Sequence, residues 1–332
     1  MTTRSDHVSS RLGLGCVNLG SASAGTSWRD QVKLVQQAAD YGVVVFDTAD
    51  AYGSGWSERL LGRALRSRRG DVVISTKGGY VFRPRSAFEQ VCRRGAARTT
   101  NLRATRTADT GPAASAQAAD YQLQDFSVPN LRSAIEHSLR RLGTDYIDVY
   151  QLHGPREVSG DVFEELDDLR QRGTIRRWGI GAETIGQADA WVADANVEVL
   201  QIPFGILDPF AAGATLDAAR SSSTQVWVRG VLGGGILSAA SGQLESIAGH
   251  PKYRTVVELS ELAAGAGIGL DELAVRWVLQ QRGIDTVMFG MSSSRHLTRN
   301  IELAGRPALP CDLSSAVTEL LRRTLPTEDR GA

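Results

Sequence analysis

Short β-branched, apolar runs alternate with longer stretches of helical periodicity along almost the whole chain, and that rhythm narrows the fold more than any other feature. The runs lie near residues 12–17 and at 43–47, 72–76, 146–152, 175–181, 197–202, 225–230 and 286–290. Most are nearly continuous in apolar side chains, the pattern of strands covered on both faces in a parallel sheet. Helical patterns occupy 28–39, 58–66, 129–142, 161–172, 214–219, 255–264 and 270–281. Within 129–142, Leu131, Ile135, Leu139 and Leu142 recur at helical spacing while Arg132, Glu136 and Arg140 face away. Eight strands leading into helices, with no shift of composition at the midpoint, predict an α/β chain closed into a single (β/α)8 barrel over residues 1–325. The tail at 326–332 is expected to fray.

A doubly wound sheet would want a G-x-G-x-x-G turn between its first strand and helix. Gly13, Gly15 and Gly20 come near but read G-x-G-x-x-x-x-G, and Asp40 ends a helical pattern instead of a second strand. One segment breaks the rhythm. Residues 83–126 are rich in Arg, Ala, Thr and Ser and have little periodicity. Following the third strand, this long loop would emerge on the C-terminal face of the barrel, as a mobile loop or a lid.

Composition excludes several functions. Lys plus Arg and Asp plus Glu are 37 each, so no net charge argues for nucleic acid or an anionic membrane as partner. No apolar run approaches about 18 residues and residues 1–14 carry no apolar leader, which predicts a cytoplasmic protein. Cys16, Cys92 and Cys311 are too few and too far apart for a disulfide framework or a zinc site, and no metal site is expected. Only Lys33, Lys77 and Lys252 are lysines. In a chain that otherwise writes arginine, each lysine asks for a reason.

Barrel enzymes place their reacting groups at the C-terminal ends of strands. Asp47, Lys77 and His153 stand at the ends of the second, third and fourth predicted strands, and Tyr52 lies in the loop after Asp47. A core-facing ammonium is expensive unless paired, and Asp47 is the available partner.

The surrounding words are Phe46-Asp-Thr-Ala-Asp-Ala-Tyr-Gly53, Ser57-Glu58, Leu61-Gly62, Ser75-Thr-Lys-Gly78 and Ser138-Leu-Arg-Arg-Leu-Gly-Thr-Asp-Tyr-Ile-Asp-Val-Tyr-Gln-Leu-His153. In these, and from about residue 12 to 303, the chain resembles the aldo-keto reductases. The resemblance implies that Asp47, Tyr52, Lys77 and His153 form a catalytic tetrad. A phenol can protonate the alkoxide that forms as hydride reaches a carbonyl, but its free pKa near 10 makes it a modest acid alone. A charged Lys77 would stabilise the tyrosinate, and His153 would orient the carbonyl oxygen.

The same resemblance implies NADPH as cofactor, favoured over NADH, with Gln201 on the carboxamide. It puts the pyrophosphate on the loop from Gly230 through Leu232 and Gly234, and the adenosine end on Ser292, Arg295, His296, Arg299 and Asn300. Backbone N–H groups of a glycine-rich turn can approach phosphate closely, and arginines suit a 2′-phosphate. Three departures from the family pattern stand out. Gly181 and Ala182 replace a hydrogen-bonding pair after the fifth strand, Arg229 takes a position often held by a stacking aromatic, and residues 83–126 lengthen the spacing from Lys77 to His153.

Trp28, Trp56 and Phe82 are candidates to line an apolar substrate pocket. The words Gly53-Ser-Gly-Trp-Ser-Glu58 and Glu183-Thr184 look like bacterial members acting on sugars and natural-product intermediates. Ketoreductases of deoxysugar and polyketide pathways, including the aureolic-acid side-chain type, and aldose dehydrogenases are the nearest in kind. Three functions are therefore weighed: an NADPH-dependent reductase of a small-molecule ketone or aldehyde, an NAD(P)-dependent aldose 1-dehydrogenase, and a non-catalytic NADP-binding regulatory subunit. Association into a homo-oligomer is compatible with each.

Overall fold

The computed structural model describes residues 11–20, 26–81, 123–192, 197–209, 212–238, 244, 247–291 and 293–325. Eight strands, β1 (Leu12–Gly15), β2 (Val45–Asp47), β3 (Val73–Gly78), β4 (Ile147–His153), β5 (Ile175–Gly181), β6 (Val199–Pro203), β7 (Gln225–Arg229) and β8 (Thr286–Gly290), close into a barrel in chain order. Every neighbouring pair is parallel, including β8 with β1. The helices between and after them are α1 (Trp28–Asp40), α2 (Trp56–Leu65), α3 (Val128–Leu142), α4 (Gly160–Gln171), α5 (Ile185–Val192), α6 (Gly213–Ser222), α7 (Tyr253–Gly265), α8 (Leu270–Leu279), α9 (Ser294–Ala304) and α10 (Cys311–Thr324). This is the predicted (β/α)8 barrel.

The helices α5, α9 and α10 go beyond the helical patterns read from the sequence, and β3 runs through Lys77 to Gly78. Residues 82–122, which hold most of the expected loop or lid, and the tail 326–332 lie outside the described residues. The chain rejoins the barrel at the end of β3. There Val81 N–H donates to Leu123 O at 2.9 Å and Asp125 N–H to Gly79 O at 2.8 Å. Among the described residues no helix is long and apolar enough to cross a membrane.

Local chemistry sets the helix ends. Ser27 precedes α1, and its hydroxyl oxygen accepts from the Asp30 N–H at 3.2 Å, satisfying one of the free donors of the first turn. α3 begins with a proline in its first turn and ends at Gly143, whose φ of 67° closes the helix in the left-handed region.

At the N-terminal end of the barrel Asp148 forms an ion pair with Arg69 at 2.7 Å and accepts from Arg176 at 3.1 Å. Both guanidiniums lie over the Tyr146 ring, 3.9 and 4.0 Å from its centroid. This cluster ties the starts of β3, β4 and β5 together, at the end of the barrel remote from His153.

A buried polar knot fixes α2 and α3 behind β3. Glu58 is fully buried on α2. It accepts from Arg141 Nε of α3 at 2.5 Å and from the hydroxyl of Thr76, the residue before Lys77, at 2.6 Å. The two helices approach closely because α2 carries Gly62, where a Cβ would stand 2.1 Å from Leu142 O. Removing one partner of a buried ion pair strands the other charge and costs about 3–5 kcal/mol, more than removing both. Arg141→Leu is therefore expected to lower stability in urea unfolding by about 3 kcal/mol, and addition of Glu58→Met is expected to restore part of the loss.

Candidate active site

The barrel is filled before it becomes chemical. Val45, Val149, Val199, Trp227 and Met288, with Val73, form an apolar cluster inside it. Side chains alternate along a strand, so the residues two and four positions on face the same way. Those positions carry Asp47 on β2, Ser75 and Lys77 on β3, Gln151 and His153 on β4, Gln201 on β6 and Arg229 on β7. An apolar plug thus supports a polar floor on the C-terminal side. The register steps this floor around the barrel: Asp47 pairs with Ser75, Lys77 with Gln151, His153 with Gly181, and Gly181 with Gln201.

At its centre Lys77 Nζ lies 2.5 Å from Asp47 Oδ2 and donates to Thr48 O at 3.0 Å. Lys77 is 1% exposed. Burial alone would lower the Lys77 pKa. The Asp47 charge and hydrogen bond, with the nearby Tyr52 oxygen, outweigh it and hold the Lys77 pKa above the ordinary lysine value. Asp47 is steadied in turn by Gln151, whose amide donates to Oδ1 at 3.2 Å and to Ser75 Oγ at 2.7 Å. Gly181 leaves room for this arrangement, because a Cβ there would stand 3.3 Å from Lys77 Cδ and 3.4 Å from Gln151 Oε1.

Tyr52 opens a tight turn in which Gly53 and Ser54 take positive φ values of 59° and 55°. The turn carries the ring to 5.2 Å from Lys77 Nζ and edge-on to His153 at 5.9 Å between centroids. The four residues of the expected tetrad are therefore brought together. Burial, then the charges of Lys77 and Arg229, push the His153 pKa well below the ordinary 6.5, so the imidazole is neutral at physiological pH. Its Nδ1 is buried with no partner among the described residues.

Two of the expected cofactor residues, Gln201 and Arg229, stand on the strands β6 and β7. Gln201 is 1% exposed and its amide nitrogen has no hydrogen-bond partner among the described residues. Arg229 reaches from β7 toward the end of β5 and donates to Ala182 O at 3.0 Å. It thereby brings a polar head to the position where Gly181 and Ala182 offer no side-chain donor. Beyond β7, Gly230 and Gly234 have φ of 79° and 69°, and a Cβ at either would meet nothing within 4 Å. Leu232 is half-buried between them.

On α9, Arg295 and His296 are exposed and Asn300 is buried. Arg299 already holds a carboxylate: Nε and Nη2 donate to Asp271 Oδ2 and Oδ1 at 2.9 and 3.1 Å. Ser292 and Phe82 lie outside the described residues. Trp28 and Trp56 pack edge to face at 5.6 Å, heading α1 and α2 on the C-terminal side.

Several site residues escaped the sequence reading. Gln151 had a signal, being a polar residue inside an apolar strand and two before His153. Glu183 stood in the Glu183-Thr184 word but was given no role of its own, and Tyr80 and Gln124 had no signal, since the three meet only through the fold. The Tyr80 hydroxyl donates to Glu183 Oε1, its ring stands edge-on to His153 at 4.8 Å, and Gln124 Nε2 donates to the His153 carbonyl at 2.9 Å.

Known proteins share both pattern and fold. A relative, the aldo-keto reductase YhdN of Bacillus subtilis, is 27% identical over 320 residues, spanning 89% of this chain and 85% of its own. A D-threo-aldose 1-dehydrogenase of a Pseudomonas species is 25% identical over 336 residues, spanning 95% and 94%. Among solved structures, the holo form of aldo-keto reductase AKR11C1 from Bacillus halodurans superposes with a TM-score of 0.73 at 24% identity, over 96% and 95% of the two chains. The model of the Aldo/keto reductase family matches residues 11–321, a span that takes in every strand and all four clustered polar residues. On that match the chain belongs to the aldo/keto reductase family, as an NAD(P)H oxidoreductase acting on carbonyl and alcohol groups.

Proposed function

We propose that this enzyme uses NADPH to reduce a ketone or aldehyde to an alcohol, on an intermediate of the polyketide or deoxysugar kind. The observation that carries the reductase reading is the buried Lys77–Asp47 pair set against Tyr52 and His153. A module that only binds cofactor has no need of a desolvated ammonium beside a phenol, which speaks against the regulatory-subunit reading.

The residues present fit the cofactor. The unpartnered amide N–H of buried Gln201 suits the oxygen of a carboxamide. The open backbone at Gly230 and Gly234 can approach a pyrophosphate closely. Arg295 and Arg299 suit a 2′-phosphate, which would share Arg299 with Asp271.

When bound, the reduced nicotinamide supplies hydride to the carbonyl carbon. Tyr52 delivers the proton that the carbonyl oxygen requires. The charge left on its phenolate faces the Lys77 ammonium, which Asp47 keeps protonated. Neutral His153 can offer one ring N–H to the carbonyl oxygen and so fix its direction toward Tyr52. The Lys77–Tyr52 arrangement serves oxidation equally, with the phenolate as base. The aldose dehydrogenase among the relatives favours that direction as the second reading.

General acid help of this kind is worth about 10²–10⁴-fold. Tyr52→Phe is expected to lower NADPH-dependent reduction of 9,10-phenanthrenequinone by at least about 100-fold, while NADPH fluorescence titration shows nearly unchanged affinity. Unaltered turnover would remove Tyr52 from its role.

A second prediction concerns acid. His153 has its folded pKa below the unfolded value of 6.5. Below 6.5 the unfolded chain therefore binds more protons at this residue, and the stability contributed by a neutral ring is present above that pH and lost as pH falls toward the folded pKa. Urea midpoints measured from about pH 7.5 to 5 should fall less steeply in His153→Asn than in the parent. Equal slopes would show that the ring titrates normally.

A further inference from the structure

The polar rim beside His153 contains a carboxylate that the tetrad does not use. Glu183 directly follows β5 and Ala182, and its backbone is fixed on both sides. Its N–H donates to Gln187 Oε1 at 2.8 Å, and Arg229 Nη2 lies 3.5 Å from its carbonyl oxygen. Its side chain packs over the residue after His153: a Cβ on Gly154 would stand 2.8, 2.9 and 3.0 Å from Glu183 Cγ, Cδ and Oε1. The Tyr80 hydroxyl donates to Oε1, and the Tyr80 ring abuts His153. One carboxylate oxygen is thus used to orient the group. The other, Oε2, has no partner among the described residues, and Glu183 is exposed on the C-terminal face.

An oriented carboxylate beside a reacting carbonyl accepts hydrogen bonds and repels anions. Positively charged substrates are disfavoured from the other side, because the Lys77 and Arg229 cations already act on His153. What remains is a neutral donor. We infer, on the carbonyl-reductase reading above, that Glu183 is a specificity-determining residue that accepts a hydrogen bond from a substrate hydroxyl near the carbonyl. The substrate class is then uncharged hydroxylated aldehydes and ketones, sugar-like or hydroxyketone, as against carbonyl acids. Tyr80 is the positioning residue that aims the carboxylate.

Two matched substrate pairs test this: glyceraldehyde against propanal, which differ in hydroxyls, and succinic semialdehyde against butanal, which differ in a carboxylate. Steady-state NADPH oxidation is followed for the parent, Glu183→Gln, Glu183→Ala and Tyr80→Phe. Hydrogen bonds to charged groups are strong enough for about a 10-fold effect. In both Glu183 variants the ratio of kcat/KM for glyceraldehyde over propanal should fall about 10-fold, mainly through KM. The ratio for succinic semialdehyde over butanal should rise. Tyr80→Phe should shift both ratios the same way by a smaller factor. Turnover with both ratios unchanged would overturn the inference alone, showing that Glu183 only braces Tyr80 and His153. No turnover of any of the four by the parent would overturn the reductase reading, and this inference with it.

Discussion

A single ammonium, buried 2.5 Å from a carboxylate, is the contact on which the rest of the candidate active site depends. Lys77 has nowhere to shed its charge except into Asp47, and Asp47 is held by Gln151 and by the strand that carries it. Everything near the pair adjusts to it. Gly181 is small where any larger residue would press on the lysine methylenes. His153 is kept neutral, by burial first and by the two nearby cations after it. Tyr52 is set by its tight turn where its phenolate form would meet the ammonium. A salt bridge in such a place is no contribution to stability by itself, since desolvation offsets much of the attraction. Its presence here fits the proposed chemistry.

The barrel supplies the precision. Two residues of strand separate the apolar plug from the polar floor, so the period-two alternation that fills the core with Val45, Val149, Val199, Trp227 and Met288 also aims Asp47, Gln151, Gln201 and Arg229 upward. Behind β3, the Glu58–Arg141–Thr76 knot anchors the residue next to Lys77 to two helices. Rigid elements hold the chemistry and loops form the rim. The wall that would set substrate preference is assembled from the ends of β3 and β5 and from residue 124.

That division explains what could be read from sequence alone. Near-continuous apolar runs betray strands buried on both faces, and polar residues at their ends betray the floor, so the barrel and the strand-end placement of Asp47, Lys77 and His153 were legible. The grouping of these three with loop residue Tyr52 was what the family resemblance implied. Helix α5 was not: its eight residues, Ile185–Val192, are too few to show a clear 3.6-residue period. The ion pair of Arg299 with Asp271 and the bond between Tyr80 and Glu183 join residues 28 and 103 positions apart, and no local pattern encodes such meetings. A reading by composition sees Arg299 as a free cation, whereas the fold has already given it an anion.

The lysine count offers the most direct test of the central contact. With only Lys33, Lys77 and Lys252 to observe, ¹⁵N-lysine NMR can follow each ammonium through a pH titration. Lys77 should hold its proton above the ordinary lysine value of 10.5, and Asp47→Asn should bring its pKa below that value, because burial then acts against the charge without its partner. Titration of Lys77 at or below 10.5 in the parent protein, or no change on Asp47→Asn, would contradict the account.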